Sequence, residues 1–364
     1  MGIISKLETR ASLEDPNTPL AQGVTLMSLF GGQPSYTGKY VNDAVAMTSS
    51  AVYAAVNIIS GTIGALPLKV YRRVDRGKEE ARDHPLWPIL HDSANKYMTA
   101  IAYREASQGH LLLRGNAFSR IQYGPGRSSV IDALWPLHPG NVQTFITPDG
   151  REKWYRYTHS NGEQELLRDD QVLHVAGMGG GDGIGYGVVQ LARQSIALGL
   201  SQEEFAARFF GNSSRPQGIL TTAESLSPEA RQNLRDSWQG AYGGLENSSK
   251  VAVLDEDLKW QTIGLTNEDS QFLQSRQFSV REIARWFNLP PHKIRDLEDA
   301  TFSNIEAQNV EFVVDTLLPW LRRWEQSITL QLFTPAEREA GLFVEFVVDG
   351  LLRGDSTARS ELYR

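Results

Sequence analysis

The chain has 364 residues, a formal net charge of −7, 41% hydrophobic and 22% charged residues, and no cysteine. That length supports one elaborate domain or two ordinary ones, and the composition is that of a folded chain rather than a disordered one. Without cysteine there is no disulfide framework, thiolate zinc site, iron–sulfur cluster or thiol nucleophile, and an isoelectric point near 5.6 has the wrong sign for a protein that grips phosphates from free solution.

No apolar run reaches the roughly 18 residues of a transmembrane helix. The first twenty residues lack the apolar core of a secretory signal. The MGIISK start fails the myristoylation pattern, because Lys6 stands where Ser or Thr is required. Residues 1–40, rich in Gly, Pro, Ser and Thr, read as a mobile arm. Ser50 then opens a helix whose apolar positions Val52, Ala55, Val56, Ile59 and Ile63 recur every three or four residues. Pro67 ends it. A strand follows at 66–73, then a short Pro-punctuated segment at 84–90 and a second helix at about 101–113.

The runs 116–123, 128–137, 141–146, 153–159, 164–167 and 171–176 predict strands, with turns at Asp149–Gly150 and Asn161–Gly162. The first 180 residues therefore read as an α+β domain with an antiparallel meander. The glycine cluster at 177–187 opens a long helix from about Tyr186 to Gly211. A small insertion follows, containing a helix that begins at Ser227–Pro228–Glu229 and strand candidates at 250–254 and 258–263. Another helix runs from about Glu268 to Phe287 and stops at Leu289–Pro290–Pro291. After a loop at 292–303, the longest helix spans about Asn304 to Leu332, and Pro319 predicts a kink within it. Residues 342–352 read as a final strand.

The glycine cluster sits where a phosphate cradle would, yet Tyr186–Gly187–Val188 replaces the Gly-Lys-Ser/Thr of a Walker loop and no acidic residue completes a dinucleotide fingerprint. A strand-to-helix hinge at Gly179, Gly180 and Gly181 is the better reading. The seven histidines show no HExxH and no helical i, i+4 pair, so neither a metal site nor a cofactor is expected. No G-x-S-x-G elbow is present, and Asp255–Asp257 reads as a solvated turn. Nothing argues for an enzyme. Phe205, Phe209, Phe210, Phe272, Phe278, Trp286, Phe287, Trp320 and Trp324 stud the long helices; a core buries most of them, and subunit packing accounts for the rest.

The strings SSAVYAAVNIISGTIGALPLKVYRR (49–73), YREASQGHLLLRGNAFSRI (103–121), LWPLHPGNV (134–142), 183–220, FLQSRQFSVREIARWFNLPPHKI (272–294) and 301–328, in that order, resemble the portal proteins of long-tailed double-stranded DNA bacteriophages. The resemblance implies a homo-oligomeric ring of about twelve subunits at one capsid vertex, assembled in the host bacterial cytoplasm. Double-stranded DNA would pass its channel without sequence preference. It implies docking of the terminase large subunit and of a head–tail adaptor, contact with major capsid or scaffold protein, and no membrane partner. Carried over by parts, 1–40 is an arm, 41–185 the wing, 186–215 and 267–288 the stem helices, and 216–266 the clip. Residues 289–303 are the tunnel loop, 304–334 the kinked wing helix, and 335–364 a returning strand with a short or truncated crown.

On that reading Lys293, Arg295, Asp296, Glu298, Asp299, Thr301, Phe302 and Ser303 face the channel. Arg231, Arg235, Trp238, Tyr242 and Lys250 dock partners, and Gly179–Gly181 with Pro319 act as hinges. From Tyr186 to Ser303 there are 12 Lys and Arg against 15 Asp and Glu, a net of −3, which suits a wall that lets DNA slide. Two other readings stay open at this point: a phosphate-ligand enzyme built on the glycine cluster, and a monomeric protein-binding scaffold.

Overall fold

The computed structural model describes residues 35–126, 130–147, 152–179, 181, 183–211, 218–221, 227–242, 259–262, 267–296 and 309–352. They fall into two units, one drawing on residues up to Ser201 and from Gln277 onward, the other spanning Gln202–Arg276. The architecture is α+β, and every pairing within its named sheets is antiparallel.

In the first unit, α1 (Asp43–Ala46) precedes α2 (Ser50–Ala65). Ser49 rather than Ser50 is the residue before the first helical turn, and its side chain makes no capping bond. The predicted stripe Val52, Ala55, Val56, Ile59 and Ile63 is buried. Ile59 and Ile63 are fully enclosed, so truncating either to Ala costs about 2–5 kcal/mol. α2 packs on α4 (Ala100–Arg114), which Thr99 caps by accepting the Ala102 N–H and which Gly115 ends in the left-handed region. Between them lie β1 (Leu68–Val74), β2 (Gly77–Glu80), α3 (Leu86–His91), β3 (Ser93–Asn95) and β4 (Met98–Thr99). The Pro-punctuated segment at 84–90 thus turns mostly into helix, its apolar residues Leu86, Ile89 and Leu90 buried on one side.

The expected meander divides into two sheets. One has the order β10 (Val172–Ala176), β5 (Asn116–Tyr123), β6 (Ile131–Leu137); the other is the true meander β7 (Val142–Ile146), β8 (Lys153–Thr158), β9 (Gln164–Arg168). Gly162, with φ of +85°, makes the Asn161–Gly162 turn between β8 and β9. Phe118, Leu137, Tyr155, Leu167 and Val172 form a small core joining the two sheets.

The long helix expected from Tyr186 starts instead at Val188, as α5 (Val188–Leu191), and resumes after Ala192 as α6 (Arg193–Gly211). The N–H of Tyr36 donates to Gln194 Oε1 at 2.9 Å, which anchors the described end of the predicted arm. α8 (Asn267–Trp286) contributes its C-terminal part to this unit, and Trp286 Nε1 donates to Ser195 Oγ at 3.2 Å. Later, a π-helical turn (Phe312–Leu317) leads into α9 (Leu318–Leu332). α10 (Pro335–Glu339), β13 (Leu342–Phe346) and α11 (Asp349–Leu352) follow, so the predicted strand at 342–352 is half strand and half helix. β13 pairs with β1 from Leu68↔Phe346 to Arg72↔Leu342.

The second unit contains α7 (Pro228–Tyr242), opened by Ser227 as expected, and a two-stranded sheet of β11 (Gly218–Thr221) with β12 (Lys259–Thr262). The strand candidate at 250–254 lies outside the described residues.

Candidate functional site

α8 ends in a left-handed cap. Leu289 N–H donates to Ala284 O at 2.9 Å and Asn288, with φ of +50°, donates its N–H to Arg285 O at 3.0 Å. Pro290 and Pro291 forbid further α-helix, and a single 3₁₀ turn (Pro291–Ile294) follows, its Ile294 buried. Arg295, also left-handed at φ +67°, turns the chain so that Asp296 accepts from Arg281 Nε at 2.8 Å. Lys293 Nζ donates to Asn309 Oδ1 at 2.7 Å and stands 4.7 Å from the centre of the Phe312 ring. Burial holds its ammonium pKa below the ordinary lysine value.

Of the residues expected to face the channel, Lys293 and Asp296 are half-buried and bonded to Asn309 and Arg281, and Arg295 is exposed. Glu298, Asp299, Thr301, Phe302 and Ser303 lie outside the described residues. Sequence reasoning missed the residues that hold this root: Arg281, Asn288, Asn309 and Thr316. Asn288 carried a legible signal, an Asn at the end of a helical pattern just before Leu-Pro-Pro.

Ahead of Pro319, where the sequence predicts a kink, the chain forms the π turn. In an α-helix the Pro319 ring would collide with the carbonyl of Asp315, and an extra residue in the turn moves that carbonyl aside.

The glycine segment is tied to itself and to the start of β5 by hydrogen bonds. Gly177 N–H donates to Gly115 O at 2.8 Å, Tyr186 N–H to Met178 O at 2.7 Å, and Gly185 N–H to Asn116 Oδ1 at 2.8 Å. A Cβ at Gly179 would stand 1.9 Å from Ile184 O, and one at Gly185 the same distance from Gly115 O. Close backbone approach is what requires glycine there. The N–H groups of Gly177, Gly185 and Tyr186 are thereby donated to the protein itself. Gly181, with φ of +98°, has open space where a side chain would stand, and Gly180 lies outside the described residues.

Beneath this segment Lys153 Nζ, which can only donate, lies 2.9 Å from His174 Nδ1. His174 therefore carries its proton on Nε2 and donates it to Asn116 Oδ1 at 3.0 Å. Asn116 Nδ2 in turn donates to Gly185 O at 2.8 Å. Burial first, and the Lys153 charge second, pull the His174 pKa down to about 3, so the ring is neutral.

In the second unit Arg231, Arg235 and Trp238 lie four and three residues apart on α7, which places them on one stripe. Both arginines are exposed and Trp238 is half-buried. The side chain of Tyr242 and all of Lys250 lie outside the described residues. Among the described residues no group of His, Asp and Glu could hold a metal ion, and no helix is long and apolar enough to cross a membrane.

A sequence model of the phage portal protein family matches residues 50–364. The chain is 33% identical over 345 residues to the probable portal protein of Streptomyces phage phiC31, covering 91% of this chain and 74% of that one. It is 32% identical over 327 residues to the portal protein of Enterobacteria phage HK97, covering 88% and 75%. Among solved structures, a chain of the virion of a native gene transfer agent particle superposes with TM-score 0.68 at 21% identity, covering 93% and 92%. A portal protein of the HK97 family from Corynebacterium diphtheriae gives TM-score 0.54 at 20% identity, covering 85% and 96%. With the family model matched from residue 50 to 364 and a third of the aligned residues identical to the phiC31 protein, the chain belongs to the phage portal protein family.

Proposed function

We propose that the chain is the subunit of a homo-oligomeric portal ring at one capsid vertex, the conduit for double-stranded DNA during packaging and ejection. The observation that carries this reading is the family match from residue 50 to the last residue. A ring of twelve is supported by a similar solved chain from a gene transfer agent neck computed with C12 symmetry. Its part is structural: the chain shapes a passage, and the driving chemistry belongs to a terminase large subunit docked on it. The exposed Arg231 and Arg235 beside Trp238 give the second unit a basic, partly aromatic stripe suited to terminase and later to a head–tail adaptor. Major capsid or scaffold protein would hold the first unit in the shell. Arg295 and the residues after Asp296 would face DNA, in a segment whose net negative balance keeps phosphates from being gripped.

Native mass spectrometry with negative-stain imaging tests this. A species twelve times 40.5 kDa, or a neighbouring multiple, with a central hole is expected. A chain that stays monomeric even when co-expressed with its capsid protein would overturn it.

A further inference from the structure

Asn288 occupies a left-handed position of the kind glycine often takes, and its side chain makes a bond glycine could not. Its Nδ2 donates to the carbonyl of Asp315 at 2.8 Å, and its own carbonyl accepts from Thr316 Oγ1. Asp315 O is the acceptor that the N–H of residue 319 would take in an α-helix, and Pro319 has no N–H. We propose that Asn288 is the positioning residue for the loop root at 289–296: its amide supplies the hydrogen bond Pro319 cannot make, so the register of the π turn and the placement of the loop root are set together. The inference rests on the channel reading for its purpose, because it makes the turn before Pro319 the element through which the helix and the DNA-facing loop constrain each other. The two segments are tied reciprocally, donor to carbonyl in each direction, and the pairs Lys293–Asn309 and Arg281–Asp296 flank the tie. A shift of the loop root must therefore break the Asn288 bonds or change the turn.

The test is a double-mutant cycle read by hydrogen exchange on peptides covering residues 309–318, in the parent chain, Asn288→Asp, Pro319→Ala and the double variant. Asn288→Asp keeps the shape and the left-handed tolerance but removes the donor. In the parent it is expected to speed exchange of this segment about three- to tenfold. With Pro319→Ala, residue 319 offers Asp315 its own N–H, and the same change should alter exchange less than about twofold. Equal acceleration in both backgrounds, or none in the parent, overturns the proposal. If Asn288→Asp does not fold, Asn288→Gly completes the same cycle. The cycle does not depend on ring formation. A chain that made no rings would undo the channel reading and leave this result standing, and equal effects would do the reverse.

Discussion

Gln331 and His174 exchange two hydrogen bonds of 2.8 Å, the His174 N–H donating to Gln331 Oε1 and Gln331 Nε2 donating to the His174 carbonyl. The side chain of a helix thereby takes the place of a neighbouring strand along the free edge of β10. It also fixes α9 against the sheet that holds the glycine segment. Replacing Gln331 with Leu strands both backbone groups and should cost about 1–3 kcal/mol. Gln331→Glu keeps the acceptor but loses the donor, so its cost should fall between Leu and the parent. Urea unfolding of the three proteins checks the order. A Leu variant as stable as the parent would remove Gln331 from the account of this edge.

Two histidines, His174 buried and His110 half-buried, make stability depend on pH on the acidic side of neutrality. Burial first, with the nearby His138 and Arg114 charges adding to it, pulls the His110 pKa down to about 4, and His174 lies at about 3. His110 Nδ1 has no hydrogen-bond partner among the described residues. Because both folded values lie below the unfolded value near 6.5, the unfolded chain binds protons first as pH falls. Their contribution is complete above pH 6.5. It fades from there down to about 4 for His110 and about 3 for His174. Each neutral histidine adds a slope approaching about 1.4 kcal/mol per pH unit within that window. Urea midpoints measured from pH 7.5 to 5 should fall steadily, and His110→Leu should flatten the curve. An unchanged slope in the variant would show that His110 carries no linkage.

The glycines separate into two kinds by what a side chain would meet. At Gly185 a Cβ lands 1.9 Å from the Gly115 carbonyl, backbone against backbone, and neither side can step away cheaply. Gly185→Ala should cost about 3 kcal/mol or more, reported as a lowered melting temperature or loss of soluble protein. Gly199 lies inside α6 with nothing within 4 Å of an added Cβ. There Ala should raise stability by about 0.5–1 kcal/mol through helix propensity. If both variants melted together, the packing account of the glycine segment would be wrong.

What the sequence made legible was whatever repeats locally. The stripe from Val52 to Ile63 announces a helix and its buried face, and Asn161–Gly162 announces a turn. The pairing Leu68↔Phe346 joins opposite ends of the chain, and no local pattern states its register. The resemblance selected Lys293 and Asp296 as members of the channel loop, but spacing does not name the partners of a loop side chain. Asn309 and the Phe312 ring are the partners of Lys293, and Arg281 is the partner of Asp296. Pro319 foretold a disturbed helix, and only the partner at Asn288 shows how the freed carbonyl is used. The scattered histidines concealed the Lys153–His174–Asn116 chain, because His174 and Asn116 meet through the pairing of β10 with β5 and Lys153 reaches them from the other sheet.

Arg104 is the clearest case of a charge buried to serve carbonyls rather than a carboxylate. Its Nη1 donates to Leu90 O at 2.7 Å, and its Nη2 to Gly64 O at 2.7 Å and Leu66 O at 3.2 Å. Those carbonyls lie at the C-terminal ends of α3 and α2, where helix dipoles favour a cation and the last carbonyls lack helical partners. Burial pulls the guanidinium down to about 10, which leaves it charged at neutral pH. Arg104→Met keeps the apolar stem but strands three carbonyls and should cost about 3–5 kcal/mol. Arg104→Lys keeps the charge but loses the fork that reaches two helices, so about 1.5–3 kcal/mol is expected. Denaturant unfolding of the two variants against the parent decides the matter. If Met were within about 1 kcal/mol of the parent, the carbonyls would have found water, and Arg104 would not be what joins α2, α3 and α4.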